Sequence, residues 1–298
     1  MISIENKLQE LGFIVKSIKE GRVNRCGTID KPNKKNGWFR VYDESVIYGS
    51  WDDAIPNGYF WTKEITPLTA EEKQAYAKKR AEQEIKQREL EEIERLERLN
   101  SVNKAYASTR QIKTTHVYLE RKQMAFRQDY TFDMQQRLVI PVLNIHNHLA
   151  GYQYINDLGD KLFKSGSILK GGFYPFKPYH CTIADLDLIF ICEGVATADA
   201  VYQAMDDRLE AVNYGVIACF SAGNVRNIIA DIVKQYGKKS IIGIADSDDA
   251  GIKAYDKTGV KFLICGIQKG EDANDILVRF GKEKLAKLIV NFMGELNK

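Results

Sequence analysis

The chain has only five cysteines in 298 residues, and no two of them stand at C-x-x-C spacing. Cys192, Cys219 and Cys265 lie inside apolar, strand-like runs, where a thiol behaves as a small hydrophobe. Cys26 and Cys181 are equally isolated, which argues against structural zinc and against disulfides. Histidine is scarce as well, at four residues. The one suggestive pair, His146 and His148 in "NIHNHLAG", is flanked by turn-forming Asn and Gly and reads as a hairpin tip rather than a metal site. Long apolar runs are missing: no stretch reaches the length of a membrane span, and the opening MISIENKLQE is charged where a secretory signal would be greasy. A cytoplasmic protein with no membrane partner is expected.

What is present is enough hydrophobic material, 44% against 28% charge, for a real core and two or three parts. The net charge is only +3, but it is unevenly spread. Residues 1–109 carry 19 Lys and Arg against 18 Asp and Glu, residues 110–180 carry 10 against 5, and residues 181–298 carry 14 against 17. A basic middle beside an acidic end suits a polyanion held near carboxylates, and carboxylate-rich sites bind divalent cations.

Residues 1–68 hold short strand-like pieces such as "GWFRVYD" and "SVIYGSWDD" between Gly, Asn and Pro, and predict a small β-rich module. Its aromatics Trp38, Phe39, Tyr42, Trp51 and Trp61 suit either a stacking platform for unpaired bases or, the favoured reading, the filling of a small core. Residues 69–106 form a charged helical linker. Its stretch 69–100 is built of strong helix formers after Thr69, a residue able to cap the first turn, with too few apolar positions for a sustained heptad stripe. Residues 107–180 form a basic subdomain of mixed α and β structure, including a hairpin at "RLVIPVLNIHNHLAGYQYIND". From 181 to 298, strand-like runs at 187–192, 215–220, 240–245 and 260–265 alternate with helical segments. One helical face is traced by Val225, Ile228, Ile229, Ile232, Val233 and Tyr236, another by Ala198, Val201, Tyr202 and Met205. The fold class is α/β: a parallel four-stranded sheet flanked by helices.

Ligands of open α/β sheets bind beyond the carboxyl ends of the strands. Here those ends carry Glu193-Gly194, Ser221-Ala222-Gly223-Asn224 and, in "GIADSDDAGIKA", Asp246-Ser247-Asp248. Carboxylates converging at one sheet edge repel one another unless a cation neutralises them. The pattern therefore points to a metal-holding edge.

"CEGVATADAV" followed by "IADSDDAG" resembles the E-G and D-x-D signatures of the TOPRIM domain. "RLVIPVLN", "FKSGSILKGGFYPF", "SAGNV" and "KGEDANDIL" resemble the flanking blocks of primases from conjugative plasmids and satellite phages, and "HVYLERK" at 116–122 resembles their H-P-Y-L-x-R-K block. Even the N-terminal "GRVNRCGTIDKPNKKNGWFRVYD" is similar to the group's first module. Val117 stands in the place of the block's proline, Thr197 in the place of an aspartate of the bacterial replicative primase, and the helicase domain of the satellite-phage proteins is absent.

The resemblance implies a DNA primase of a mobile element, plasmid or phage. It would join ribonucleoside triphosphates into RNA primers on single-stranded DNA by metal-dependent nucleotidyl transfer, beside a separately encoded replicative helicase. It implies magnesium or manganese as cofactor, while the cysteine spacing predicts no zinc. Asp246 and Asp248 are expected as principal metal ligands, Glu193 as ligand or general acid/base, and Asp272 and Asp275 as completing a second metal site. Asp249 is left open between helix cap and ligand. Arg121, Lys122, Arg137, Lys164, Lys170 and Asn224 are expected to grip nucleotide or template. Two rivals remain: a TOPRIM nuclease using the same carboxylates, and a non-catalytic single-stranded-DNA-binding accessory protein.

Overall fold

Alternating apolar residues build the first sheet, and the chain divides into two units, Met1–Arg95 and Leu96–Lys298. In this computed structural model the described residues are 3–42, 45–62, 70–111, 115–209, 212–237, 239–256 and 258–296. The first unit opens with helix α1 (Ile4–Glu10) and strands β1 (Phe13–Ile14), β2 (Val23–Thr28), β3 (Gly37–Val41), β4 (Ser45–Ser50) and β5 (Gly58–Trp61). They pair in sequence order, antiparallel throughout. One face buries Phe39, Val41 and Val46 against Leu8 and Phe13, as the two-residue period of a half-buried strand requires. The favoured core reading of the aromatics holds for Phe39, 1% exposed, and fails for Trp51, 60% exposed. Trp51 lies just past the end of β4, where no opposing layer covers it.

Helix α2 (Ala70–Ala107) follows. The expected cap Thr69 lies outside the described residues. The helix ends within one residue of the linker's expected end at 106, and its last turns, beyond the charged stretch 69–100, gain a core: Val102 is fully buried with Val139 and Tyr152, a tertiary contact that supports them.

The second unit continues with β6 (Arg110–Gln111), α3 (Val117–Arg121), β7 (Thr131–Phe132), β8 (Leu138–Leu143), β9 (Leu149–Ile155) and β10 (Lys161–Phe163). These five strands form an antiparallel sheet ordered β10-β9-β8-β7-β6. His146 and His148 sit on the β8–β9 turn. There Asn147 has φ 61° and Asn144 Oδ1 accepts from the amides of His146 and His148 at 2.9 and 3.0 Å, so the pair is a hairpin tip.

Then come β11 (Tyr174–Phe176), β12 (Leu188–Cys192), α4 (Val195–Met205), β13 (Tyr214–Ala218), α5 (Ala222–Tyr236), β14 (Ser240–Ala245), α6 (Asp249–Ala254), β15 (Lys261–Ile264), α7 (Ala273–Phe280) and α8 (Lys282–Leu296). The sheet order is β11-β13-β12-β14-β15. Four strands are parallel, as expected. A fifth, β11, joins antiparallel to β13, so the sheet is not the purely parallel one expected, and the other two sheets are antiparallel throughout. Pro175 and the preceding glycines disguised β11, yet proline is tolerated on an edge strand such as this one. The division expected at residue 180 thus passes through one sheet and one core, in which Tyr118, Tyr130 and Ile140 share a cluster with Phe190, Val201 and Ile289. Helices α4, α7 and α8 pack with that cluster, while α5 buries Val225, Ile228, Ile229 and Ile232 in a second one. Val233 turns outward, 46% exposed. No helix among the described residues is long and apolar enough to cross a membrane.

Candidate active site

The register of β12 against β14, Cys192 opposite Ile244, brings the residues just beyond the two strands to one edge. Glu193, Asp246 and Asp272 line a single cavity of about 180 Å³ together with Lys122, Lys161, Gln153, Thr197 and Phe220. Residues 193 and 246, some fifty positions apart in sequence, thus share a site because their strands are neighbours.

Asp246 is the group most perturbed by this arrangement. Burial, then the charges of Asp272, Glu193 and Asp248, push its pKa up to about 7, with Lys161 opposing. Its Oδ1 is buried without a hydrogen-bond partner. Glu193 is also raised, first by burial and then by Asp248, while the backbone amide of Ala222 and Lys161 oppose.

The other expected acids carry local duties. Asp248, and not Asp249, is the N-cap of α6, its Oδ1 accepting from Gly251 N at 2.7 Å. Asp249 lies in the first helical turn, exposed, 3.8 Å from Lys269 Nζ. It is neither the cap of α6 nor part of the cavity wall. Asp272 and Asp275 form a capping box at the start of α7. Asp272 Oδ2 also accepts from Thr197 Oγ1 at 3.1 Å, so the threonine supplies a donor where an aspartate would add a further charge. Asp275 accepts from Lys122 Nζ at 3.4 Å and is not part of the cavity wall.

Of the expected basic grips, only Lys122 lines the cavity. Arg137 is paired with Asp133 at 2.5 Å and lies over the Tyr154 ring, 3.6 Å from its centroid. Arg121 donates to Asp157 O at 3.0 Å. Asn224 is 6% exposed and its amide is consumed by the chain itself: Oδ1 accepts from Gly171 N, and Nδ2 donates to the carbonyls of Leu169, Gly172 and Cys219. It fastens the glycine-rich turn to the start of α5 and has no capacity left for a nucleotide. Lys164 and Lys170 lie outside the cavity wall.

The lysine that sequence reasoning missed is Lys161. Residues 161 and 163 share one face of β10, residue 164 the other. Phe163 packs edge-on against Phe220, centroids 5.7 Å apart, and is paired with Gln153 on β9, so this face is the one turned to the cavity. The two-residue period of "KLFK" carried that signal. Phe220 itself holds φ 64°, a left-handed backbone that costs a bulky residue about 1–3 kcal/mol and persists where its surroundings over-determine it.

No three His, Cys, Asp or Glu side chains among the described residues stand close enough to cage a metal ion; the expected set of five carboxylate ligands is not assembled. The donors nevertheless fit a hard divalent cation. Magnesium is commonly held by one or two carboxylates, with water and substrate phosphates completing its shell, and the orphaned Oδ1 of Asp246 beside Glu193 offers that kind of incomplete site.

The family description "Toprim domain" matches residues 188–283. A DNA primase of Aquifex aeolicus is 26% identical over 190 residues, 54% of this chain and 33% of the primase; the matched region spans about a third of that relative's length. Among solved structures, the Aquifex aeolicus primase comprising zinc-binding and RNA polymerase domains aligns over 97% of this chain and 83% of its own at 18% identity and TM-score 0.39. The primase fragment of the bacteriophage T7 primase-helicase aligns over 57% and 69% at 11% identity and TM-score 0.39. The assignment rests on the sequence matches, since both TM-scores fall below 0.5. Residues 188–283, which hold the paired strands and the acids at their ends, match the Toprim domain model, in a chain similar in sequence to a bacterial DNA primase.

Proposed function

We propose that this chain is a DNA primase: a nucleotidyltransferase that joins ribonucleoside triphosphates on a single-stranded DNA template. The observation that carries the reading is one small cavity walled by three carboxylates and two lysines. Acids alone would suit a cation and lysines alone an anion; together they suit a nucleoside triphosphate complexed with a divalent cation.

Asp246 and Glu193 would hold magnesium or manganese, with Asp272 on the cavity wall and Asp248 at the α6 cap contributing charge. When bound, the ion would lower the pKa of the attacking 3′-hydroxyl and would neutralise charge on the departing pyrophosphate. Lys122 and Lys161 meet triphosphate oxygens, and Thr197 keeps Asp272 aimed by its hydrogen bond. Glu193 either ligates or takes the proton of the 3′-hydroxyl, and the pH–rate profile of Glu193→Gln separates the two roles. The mobile-element setting and the separately encoded helicase belong to the same proposal, and a pull-down from a host carrying the element tests them.

The deciding assay incubates the protein with magnesium, labelled ribonucleotides and unpaired DNA. New oligoribonucleotides that vanish in Asp246→Asn support the primase. Shortened DNA would identify a nuclease, and retarded but unchanged DNA a binding protein.

A further inference from the structure

Lys122, which lines the acidic cavity, stands on a turn that its own segment does not hold. It is the C-cap of α3, a helix of five residues, and carbonyls at the end of so short a helix need partners from elsewhere. Gln123 follows at φ 50°, a left-handed backbone that costs a residue with a side chain about 1–2 kcal/mol. Such a turn persists where its surroundings over-determine it.

Three side chains from two other helices do so. Asn274 on α7, 0% exposed, donates through Nδ2 to the Lys122 carbonyl at 2.7 Å. Gln203 on α4 donates through Nε2 to the Gln123 carbonyl at 2.9 Å and to Asp199 Oδ2 at 2.5 Å. Asp199, also on α4 and 1% exposed, accepts from Ala125 N at 3.1 Å. Burying an amide or a carboxylate this deeply is costly unless it is hydrogen-bonded, and here the bonds converge on one four-residue turn.

None of the three lines the cavity, yet Asp199 and Asn274 each stand two places beyond a residue that does, Thr197 on α4 and Asp272 at the head of α7. The helices that present Thr197 and Asp272 therefore also fix the backbone of Lys122. The same α3 underlies the second cavity lysine, since Lys161 Nζ lies 5.6 Å from the centroid of the Tyr118 ring. A lysine carries its charge on a flexible four-carbon stem, so the place its ammonium can reach is set by where its backbone is held.

We infer that Asn274, assisted by Asp199 and Gln203, is a positioning residue that sets Lys122 at the distance from the carboxylates that a metal-complexed triphosphate requires. The inference rests on the nucleotide reading of the acidic cavity.

The test titrates the full chain with ATP and magnesium in a calorimeter, without template, so that polymerisation plays no part. Lys122→Ala should weaken binding about tenfold. Asn274→Leu, which keeps the buried volume and removes the donor, should weaken it about fivefold. Asn274→Leu/Lys122→Ala should bind no more weakly than Lys122→Ala alone, because an anchor whose lysine is gone has nothing left to place. Gln203→Met, at a half-buried position, should repeat the pattern with a loss of about threefold and serves if the Asn274 variant folds poorly, with circular dichroism as the check. Losses that add in the double variant would overturn the inference alone, since they would mark Asn274 as acting without the lysine, and so would unchanged affinity in both folded single variants. A parent chain that binds no ATP would overturn the nucleotide reading and this inference with it.

Discussion

The backbone amide of Gly251 donates to Asp248 Oδ1 at 2.7 Å, and Gly251 itself stands so close to Asp246 that an added Cβ would lie 2.7 Å from the Asp246 carbonyl oxygen. The acid-rich "DSDDAG" is therefore a folded unit, in which the glycine lets α6 begin against the backbone of the carboxylate that faces the cavity. Gly251→Ala should cost about 1–3 kcal/mol and also reduce synthesis, because Asp246 must shift. Thermal unfolding and a primer assay on the same preparation check both.

Asp248→Asn separates two duties. Asparagine caps a helix as well as aspartate does, so stability should stay within a few tenths of a kcal/mol of the parent, whereas Asp248→Ala should lose about 1 kcal/mol. If the charge matters to the cavity, both variants lose activity alike. Full activity in Asp248→Asn would confine the residue to capping.

Asp246 makes stability depend on pH in a definite sense. Its folded pKa of about 7 lies above the value of an unfolded aspartate, so the folded state holds the extra proton between about pH 4 and 7. The resulting stabilisation is complete below the unfolded pKa and is lost as pH rises through 7. Asp199, raised to about 6 by burial, acts in the same direction. Asp246→Asn should then be more stable than the parent at pH 8 in EDTA by about 1–3 kcal/mol, with the gap closing towards pH 4. Urea unfolding across that range reads it.

The two cavity lysines should differ from those in the glycine-rich stretch. Lys161→Ala and Lys122→Ala should each raise KM for ribonucleotides about tenfold or more, and Lys170→Ala should leave it unchanged. Steady-state kinetics on the three variants decide.

Val117 occupies the first position of α3, after His116 in an extended backbone (φ −117°, ψ 137°) whose side chain caps the helix. That geometry accepts proline without loss of a hydrogen bond. Val117→Pro should leave activity intact and add about 0.4–1 kcal/mol of stability, seen as a higher Tm.

The strands and helices of residues 188–283 were legible because alternating apolar runs and turn residues state them directly, and the proximity of Glu193 to Asp246 followed from their place at the carboxyl ends of parallel strands. What the sequence hid depends on contacts between distant segments. Asn224 looked like a ligand because it follows a strand, yet four hydrogen bonds to the glycine turn and to Cys219 consume it. Asp248 and Asp272 looked like free carboxylates until their helices showed them to be caps. Lys161 was passed over for Lys164, though the parity of β10 distinguishes them. Trp51 was given to a core that has no layer above it.

Because Tyr174–Phe176 is stitched from outside the matched region into the sheet that residues 188–283 build, the acidic cavity draws its walls from chain segments that cannot slide apart without tearing that edge. Pulling on either side should therefore break the whole of residues 115–296 at once, with no surviving half-structure, and force spectroscopy would see a single rip.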